Sequence, residues 1–119
     1  MHQLTWMLSL TSSHRYYLYP KPCDMRKSFD SLSGIVRTEL GKDPANGAVF
    51  LFLNKPRNRL KLLHWESGGF VLYYKRLEKG TFAPPVQKEG GDSVSWPELV
   101  LMIEGVQVLK SLQKPRYQR

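Results

Sequence analysis

Cysteine, histidine and long hydrophobic runs are all scarce in this sequence. Cys23 is the single cysteine among 119 residues, which excludes an intramolecular disulfide framework and a multi-cysteine zinc module. The longest apolar run, residues 48–53, is far shorter than the roughly 20 residues of a membrane span. The opening residues lack the basic start and apolar stretch of a secretory signal. These absences predict a small, cytoplasmic domain that does not cross a membrane.

The usual motifs of catalysis and phosphate binding are also absent. The glycine pairs at 68–69 and 90–91 fit neither GxGxxG nor the P-loop pattern, and the three histidines do not have metal-ligand spacing. The ten acidic residues are dispersed along the chain, as surface acids are. Pro22 and Asp24 flank Cys23, which favours a structural role for the thiol over a nucleophilic one. We expect no catalytic residue, metal, cofactor or small-molecule substrate. A nuclease with carboxylate-bound Mg²⁺ is the enzymatic alternative.

Positive charge is plentiful and clustered. Lys and Arg number 18 against 10 Asp and Glu, which gives a formal net charge of +8. Half of this excess lies in residues 110–119, which hold four basic residues and no acid. Further basic clusters lie at residues 55–61 and 75–79. Such clusters on a basic domain predict binding to a polyanion; the alternative is a surface that is basic only for solubility.

Residues 24–40 have the hydrophobic spacing of a helix. Asp24 is the predicted N-cap, and Gly41 provides the left-handed stop at the other end. A second, short helix is predicted from Ser95, because Ser95 and Glu98 have the spacing of a capping box. The apolar positions of the first helix form one stripe of Met25, Phe29, Leu32, Val36 and Leu40.

Several short runs between and before these helices predict strands. Residues 16–19 are aromatic, and residues 48–53 are apolar on both faces, as in a central strand. Residues 59–66 and 70–76 follow after short polar connections, which predicts an antiparallel meander of three strands. A further short strand is predicted at residues 81–82. The predicted fold is α+β, with a long helix on one face of an antiparallel sheet and a short apolar helix near the C-terminus. The domain spans residues 8–106, between a dispensable extension (1–7) and a basic tail (107–119).

Basic and aromatic residues are interleaved on the two strands of the predicted hairpin. Alternation places Arg59, Lys61, Leu63 and Trp65 on one face. A face of this kind can hold phosphates and stack bases, or its aromatic rings can pack under a helix while the Lys and Arg stems cover apolar surface. The candidate nucleic-acid-binding residues are Arg26, Lys27, Arg57, Arg59, Lys61, Lys75, Arg76, Lys110, Lys114 and Arg116.

Four segments resemble a known family. Residues 24–32, DMRKSFDSL, resemble its DMRKGFDGL signature, with Ser28 and Ser31 in place of glycines. Residues 58–65, NRLKLLHW, are similar to its DRxKxLxW strand, and residues 69–80, GFVLYYKRLEKG, to its GFxLxYKRLExG run. Residues 103–105, IEG, are similar to its closing LEG. The family is TnpB, the small second-frame accessory protein of the insertion-sequence-sixty-six class of bacterial transposons.

The resemblance implies a non-catalytic accessory role in transposition beside a separate transposase. Together with the basic clusters, this role leads us to expect DNA binding, with transposon ends as the DNA partner. The alternative is a protein-interaction module that docks on the transposase or a co-encoded protein without binding DNA. Its candidate contact residues are Leu99, Met102 and Ile103, because residues 99–103 are apolar all round.

Overall fold

The computed structural model describes residues 10–83 and 92–104, and within these ranges the chain forms an α+β structure. The predicted N-terminal extension and C-terminal tail, with Lys110, Lys114 and Arg116, lie outside the described residues. The elements in chain order are β1 Tyr16–Leu18, α1 Phe29–Thr38, β2 Val49–Leu53, β3 Arg59–Glu66, β4 Gly69–Arg76, β5 Ser93–Val94 and α2 Trp96–Glu104.

The strands form one mixed sheet in the order β4-β3-β2-β1-β5. β2, β3 and β4 are antiparallel neighbours, as the short connections predict. β1, however, pairs parallel with β2, so the prediction of a wholly antiparallel sheet is wrong. A parallel pair needs a crossover connection, and the segment with α1 supplies it. β5 was not predicted, because Ser93 and Val94 are too short a run to show a strand pattern.

Both faces of the sheet carry a hydrophobic core. All five residues of β2 are buried, as predicted for a central strand covered on both sides. Leu51 packs in a cluster with Leu99 and Met102 of α2. Phe50 packs in a second cluster with Leu32 and Val36 of α1. The sheet is therefore the middle layer between α1 on one face and α2 on the other.

The first helix begins later than its hydrophobic spacing predicts. Its N-cap is Ser28 rather than Asp24, and it spans ten residues, Phe29–Thr38. The Ser28 amide donates to Ser31 Oγ at 3.1 Å, and Leu32 donates the first helical bond, to the Ser28 carbonyl. Phe29, predicted on the buried stripe, is 43% exposed. Gly41 has the predicted left-handed conformation, with a φ of 65°, but the helix ends before Leu40, at Thr38.

The second helix begins with the predicted capping box. The amide of Ser95 donates to Glu98 Oε1 at 2.8 Å, and the amide of Glu98 donates to Ser95 Oγ at 3.2 Å. These reciprocal bonds satisfy backbone donors that have no partner within the helix. In the described part of the chain, no helix is long and apolar enough to cross a membrane.

His64 is a buried imidazole on β3. Its Nδ1 lies 3.5 Å from the Ala48 carbonyl oxygen, and its Nε2 lies 3.6 Å from Glu66 Oε1. The ring of His14 packs edge-on against it, with centroids 4.9 Å apart. Burial lowers the pKa of His64 below its ordinary value, and a charged His14 would lower it further. The folded state therefore favours the neutral ring.

Stability is expected to fall as the pH drops below about 6.5, the pKa of a histidine in an unfolded chain. Below this pH, His64 binds a proton in the unfolded chain but stays neutral in the folded protein, because its folded pKa is lower. The stability present at higher pH is therefore lost as the pH falls toward the folded pKa. We expect the free energy of unfolding, from urea titrations at about pH 7.5 and 5.5, to decrease less in His64→Leu than in the wild type. An equal decrease in both would show that His64 does not cause the pH dependence.

Candidate nucleic-acid interface

The β3–β4 register places the candidate basic and aromatic residues in cross-strand pairs. Arg59 lies opposite Arg76, and Lys61 lies opposite Tyr74. Directly opposite residues share a sheet face. Arg59, Lys61 and Leu63 alternate along β3 and therefore share one face, and Leu63 packs in the hydrophobic cluster that contains α1, which we call the α1 cluster. Both pairs therefore lie on the face of the sheet that α1 covers, the α1 face. One corner of that face therefore carries three cationic side chains and a tyrosine.

Lys61 is buried beneath this corner, with 5% of the residue exposed. Its Nζ donates to the Met25 carbonyl at 2.7 Å and to the Lys27 carbonyl at 2.6 Å. The same ammonium lies 4.7 Å from the centroid of the Tyr74 ring, a cation–π distance. Lys61 was predicted as a surface contact to nucleic acid; the structure instead gives its ammonium two backbone partners and an aromatic one inside the protein.

These bonds also explain why α1 starts at Phe29. In a helix beginning at Asp24, the carbonyls of Met25 and Lys27 would accept backbone N–H groups four residues later. Here both carbonyls accept from Lys61 instead. Asp24 makes a local turn, in which its Oδ1 accepts the Arg26 amide at 2.9 Å.

Tyr74 lies on the edge strand β4, two residues before its end, and is 49% exposed. Arg59 Nη1 donates to its hydroxyl at 3.4 Å. Arg76 is also exposed and forms an ion pair of 3.0 Å with Glu78. We call Arg59, Tyr74 and Arg76 together the Tyr74 surface.

The loop before α1 lies beside the Tyr74 surface, because Lys61 contacts both. Arg26 has 91% of its side chain exposed and pairs with the Asp24 carboxylate at 2.6 Å. Hydrogen bonds from Arg26 hold the pKa of Asp24 well below its usual range. Lys27 is exposed as well. The loop adds two cations, one of them already paired with an acid.

The remaining candidates that the structure describes do not join this corner. Arg57 has a φ of 58°, and its Nε donates to the Phe82 carbonyl at 3.4 Å, which indicates a structural role in the connection to β3. Lys75 lies opposite Leu60, on the α2 face of the sheet. Among the aromatics, Trp65 packs edge-on against Phe70 at 4.9 Å.

The three residues proposed for partner docking are core residues. Leu99 is 0% exposed, and Met102 and Ile103 are 1% exposed. All three belong to the cluster between α2 and the sheet, which leaves them no surface for a partner. On the other side of α2, Leu101 is 65% exposed.

Two exposed aromatic residues, Phe29 and Tyr74, are not in the predicted set of basic contacts, although Tyr74 is one of the aromatic residues interleaved with them on the predicted hairpin. Phe29 was assigned to the core because its spacing matches the helical stripe, but as the first residue of α1 it is 43% exposed. Leu72, Tyr74 and Arg76 are two positions apart along β4, so strand alternation predicts that they share one face of the sheet. The exposure of Tyr74 could not be predicted, because that depends on how far α1 extends across the sheet.

The described residues contain neither a candidate metal cluster nor an activated cysteine. They contain no group of three or more His, Cys, Asp and Glu side chains that could hold a metal ion. Cys23 is buried, and burial raises the pKa of its thiol. An activated cysteine nucleophile has a lowered pKa instead.

Comparison with known proteins gives one family and two curated relatives. A family model described as IS66 Orf2 like protein matches residues 14–113. Uncharacterized protein y4jC of Sinorhizobium fredii is 30% identical over 109 residues, which cover 92% of this chain and 93% of the relative. Uncharacterized protein y4hO of the same organism is 29% identical over 100 residues, covering 84% of this chain and 87% of the relative. No solved structure matches the chain.

Replacing Lys61 with methionine is expected to destabilise the protein by about 1–3 kcal/mol, because it leaves two backbone carbonyls without their donor. Methionine keeps much of the length of the side chain, so the loss of stability measures the contribution of the ammonium group. The matched control is Lys55→Met at an exposed position, which should change stability by less than about 0.5 kcal/mol. Urea denaturation measures both, and equal stability of the two variants would contradict the role of Lys61.

Proposed function

This chain belongs to the IS66 Orf2-like family, whose members have an accessory role associated with transposition, and on that premise we propose that it is a non-catalytic protein that binds DNA through the Tyr74 surface. The observation that carries the proposal is the Arg59–Arg76 pair. Two like charges directly opposite each other across strands repel. A phosphate backbone bound there would neutralise both.

Among the described residues, the charge of this corner is only partly balanced. Glu78 pairs with Arg76, while no carboxylate in the described ranges lies within ion-pair distance of Arg59. Arg26 and Lys27 extend the positive surface along the loop before α1. A duplex or single strand of DNA presents phosphates at regular spacing, so several of these cations can contact one backbone.

The dispersed acids support the non-catalytic part of the proposal. Phosphoryl transfer by a two-metal nuclease needs carboxylates close enough to share Mg²⁺. In residues 10–83 and 92–104, Asp24 and Glu39 are engaged by the side chains of Arg26 and Lys21. Catalysis of strand transfer then belongs to a separate transposase, with this protein as its DNA-binding accessory.

Docking on the transposase through α2 is the second candidate function. The burial of Leu99, Met102 and Ile103 weighs against it, whereas the exposure of Leu101 is the observation in its favour. An apolar contact centred on Leu101 would be almost insensitive to salt. DNA binding through arginines would be strongly sensitive to it.

Binding to a labelled transposon-end duplex, measured by anisotropy at about 50 and 200 mM salt, tests the proposal. We expect the double variant Arg59→Gln/Arg76→Gln to bind more weakly and to lower the slope of log K against log salt by about 2. The control, Arg15→Gln/Arg37→Gln, removes the same charge from two exposed positions outside the Tyr74 surface.

The control variant should keep nearly all of the wild-type slope. If both double variants reduce the slope equally, binding depends on net charge and the Tyr74 surface is not the site. If the wild-type protein does not bind at micromolar concentration, autonomous DNA binding is wrong, and the transposase is the next component to add.

A further inference from the structure

We propose that Tyr74 is a stacking platform for an unpaired DNA base, so that the Tyr74 surface prefers single-stranded over fully paired DNA. The inference rests on the proposed DNA-binding function and specifies its substrate. It starts from an anomaly of burial. Tyr74 faces the same side of the sheet as Leu63 and Leu72, which pack in the α1 cluster, yet nearly half of it is exposed.

The orientation of the tyrosine ring is fixed from within the protein. The Lys61 ammonium lies over the ring at 4.7 Å from the centroid, and it is itself held by the carbonyls of Met25 and Lys27. At the edge of the ring, the hydroxyl accepts from Arg59. A side chain already ordered in this way loses little conformational freedom when a ligand binds to it.

The open part of the ring is suited to a nucleobase. Bases stack on aromatic side chains with little dependence on sequence, because every base has a π-face. Arg59 lies against the ring hydroxyl, and Arg76 lies across the strands from Arg59. A single strand can place one base on the ring while its neighbouring phosphates contact these arginines. In a duplex the bases are already stacked and paired, so no base is free to stack on the ring.

This geometry separates the contributions of the three residues. The arginines should act on both kinds of DNA, because both carry phosphates. Tyr74 should act only on DNA with unpaired bases, and its contribution should not depend on salt, because stacking releases no counterions.

The test uses the full chain, a labelled oligothymidine strand and a blunt duplex of the same length, with Kd from anisotropy at two salt concentrations. Tyr74→Leu removes the π-face but keeps an apolar side chain. We expect it to weaken single-strand binding about tenfold, with an unchanged salt slope and an unchanged Kd for the duplex. Tyr74→Phe should remain within about twofold of wild type, because it keeps the ring. Leu101→Ala is the control for loss of an exposed apolar side chain.

A second measurement does not depend on the folding of any variant. A single strand carrying 5-iododeoxyuridine is irradiated in complex with the wild-type protein, and the crosslinked peptide is identified by mass spectrometry. A crosslink at Tyr74 supports the proposal. Crosslinks confined to other aromatic residues, or single-strand binding by Tyr74→Leu equal to wild type, would overturn it.

The outcomes separate this inference from the function on which it rests. If the Arg59→Gln/Arg76→Gln variant loses salt-dependent binding while Tyr74→Leu binds single strands normally, stacking is wrong and the DNA-binding function stands. If neither DNA binds to the wild-type protein at micromolar concentration, both fail.

Discussion

The buried ammonium of Lys61 is the interaction on which the candidate site depends. A charged group inside a protein is costly unless it is well hydrogen-bonded. Lys61 meets this requirement because its ammonium donates to the carbonyls of Met25 and Lys27 and lies over the Tyr74 ring. One residue on β3 therefore joins the sheet to the loop before α1, sets where that helix begins and supports the exposed tyrosine.

The position of α1 explains why binding groups collect at one corner. α1 covers the middle of its face of the sheet, where Phe50, Leu63 and Leu72 pack against it. Toward the Arg59 end of β3, the cross-strand pairs change from apolar to basic, with Arg59 opposite Arg76. A like-charge pair does not help the protein to fold, and local conflicts of this kind are expected where a surface serves binding. DNA is the polyanion that we propose for this surface, because the family is associated with transposition.

Much of the fold could be predicted from local patterns. β3 has the bounds that alternation predicts, β2 is buried on both faces, and α2 begins with the capping box of Ser95 and Glu98. These features are set by neighbouring residues in the chain, so the sequence displays them directly. The parallel β1–β2 pair and the two-residue β5 depend on long-range packing and have no local signal.

The candidate site was predicted less well, for a similar reason. Arg59 and Arg76 could be placed together by strand alternation, but Lys61 in the same alternation has the pattern of a surface lysine. Its burial depends on carbonyls that lie far along the chain, at Met25 and Lys27. The prediction of Asp24 as the N-cap is wrong for the same reason, since α1 begins only after the segment that Lys61 contacts. Sequence periodicity cannot show that a side chain from a strand will donate hydrogen bonds to the backbone carbonyls of a predicted first helical turn.

The central claim is that DNA binds at the corner organised by Lys61, and an NMR titration of isotope-labelled protein with a single-stranded oligonucleotide tests it most directly. The account predicts that amide shifts change most at Arg59, Tyr74 and Arg76 and along the Arg26–Lys27 loop, with α2 nearly unaffected. Changes centred on Leu101 and the exposed side of α2, or no changes at saturating DNA, would contradict it.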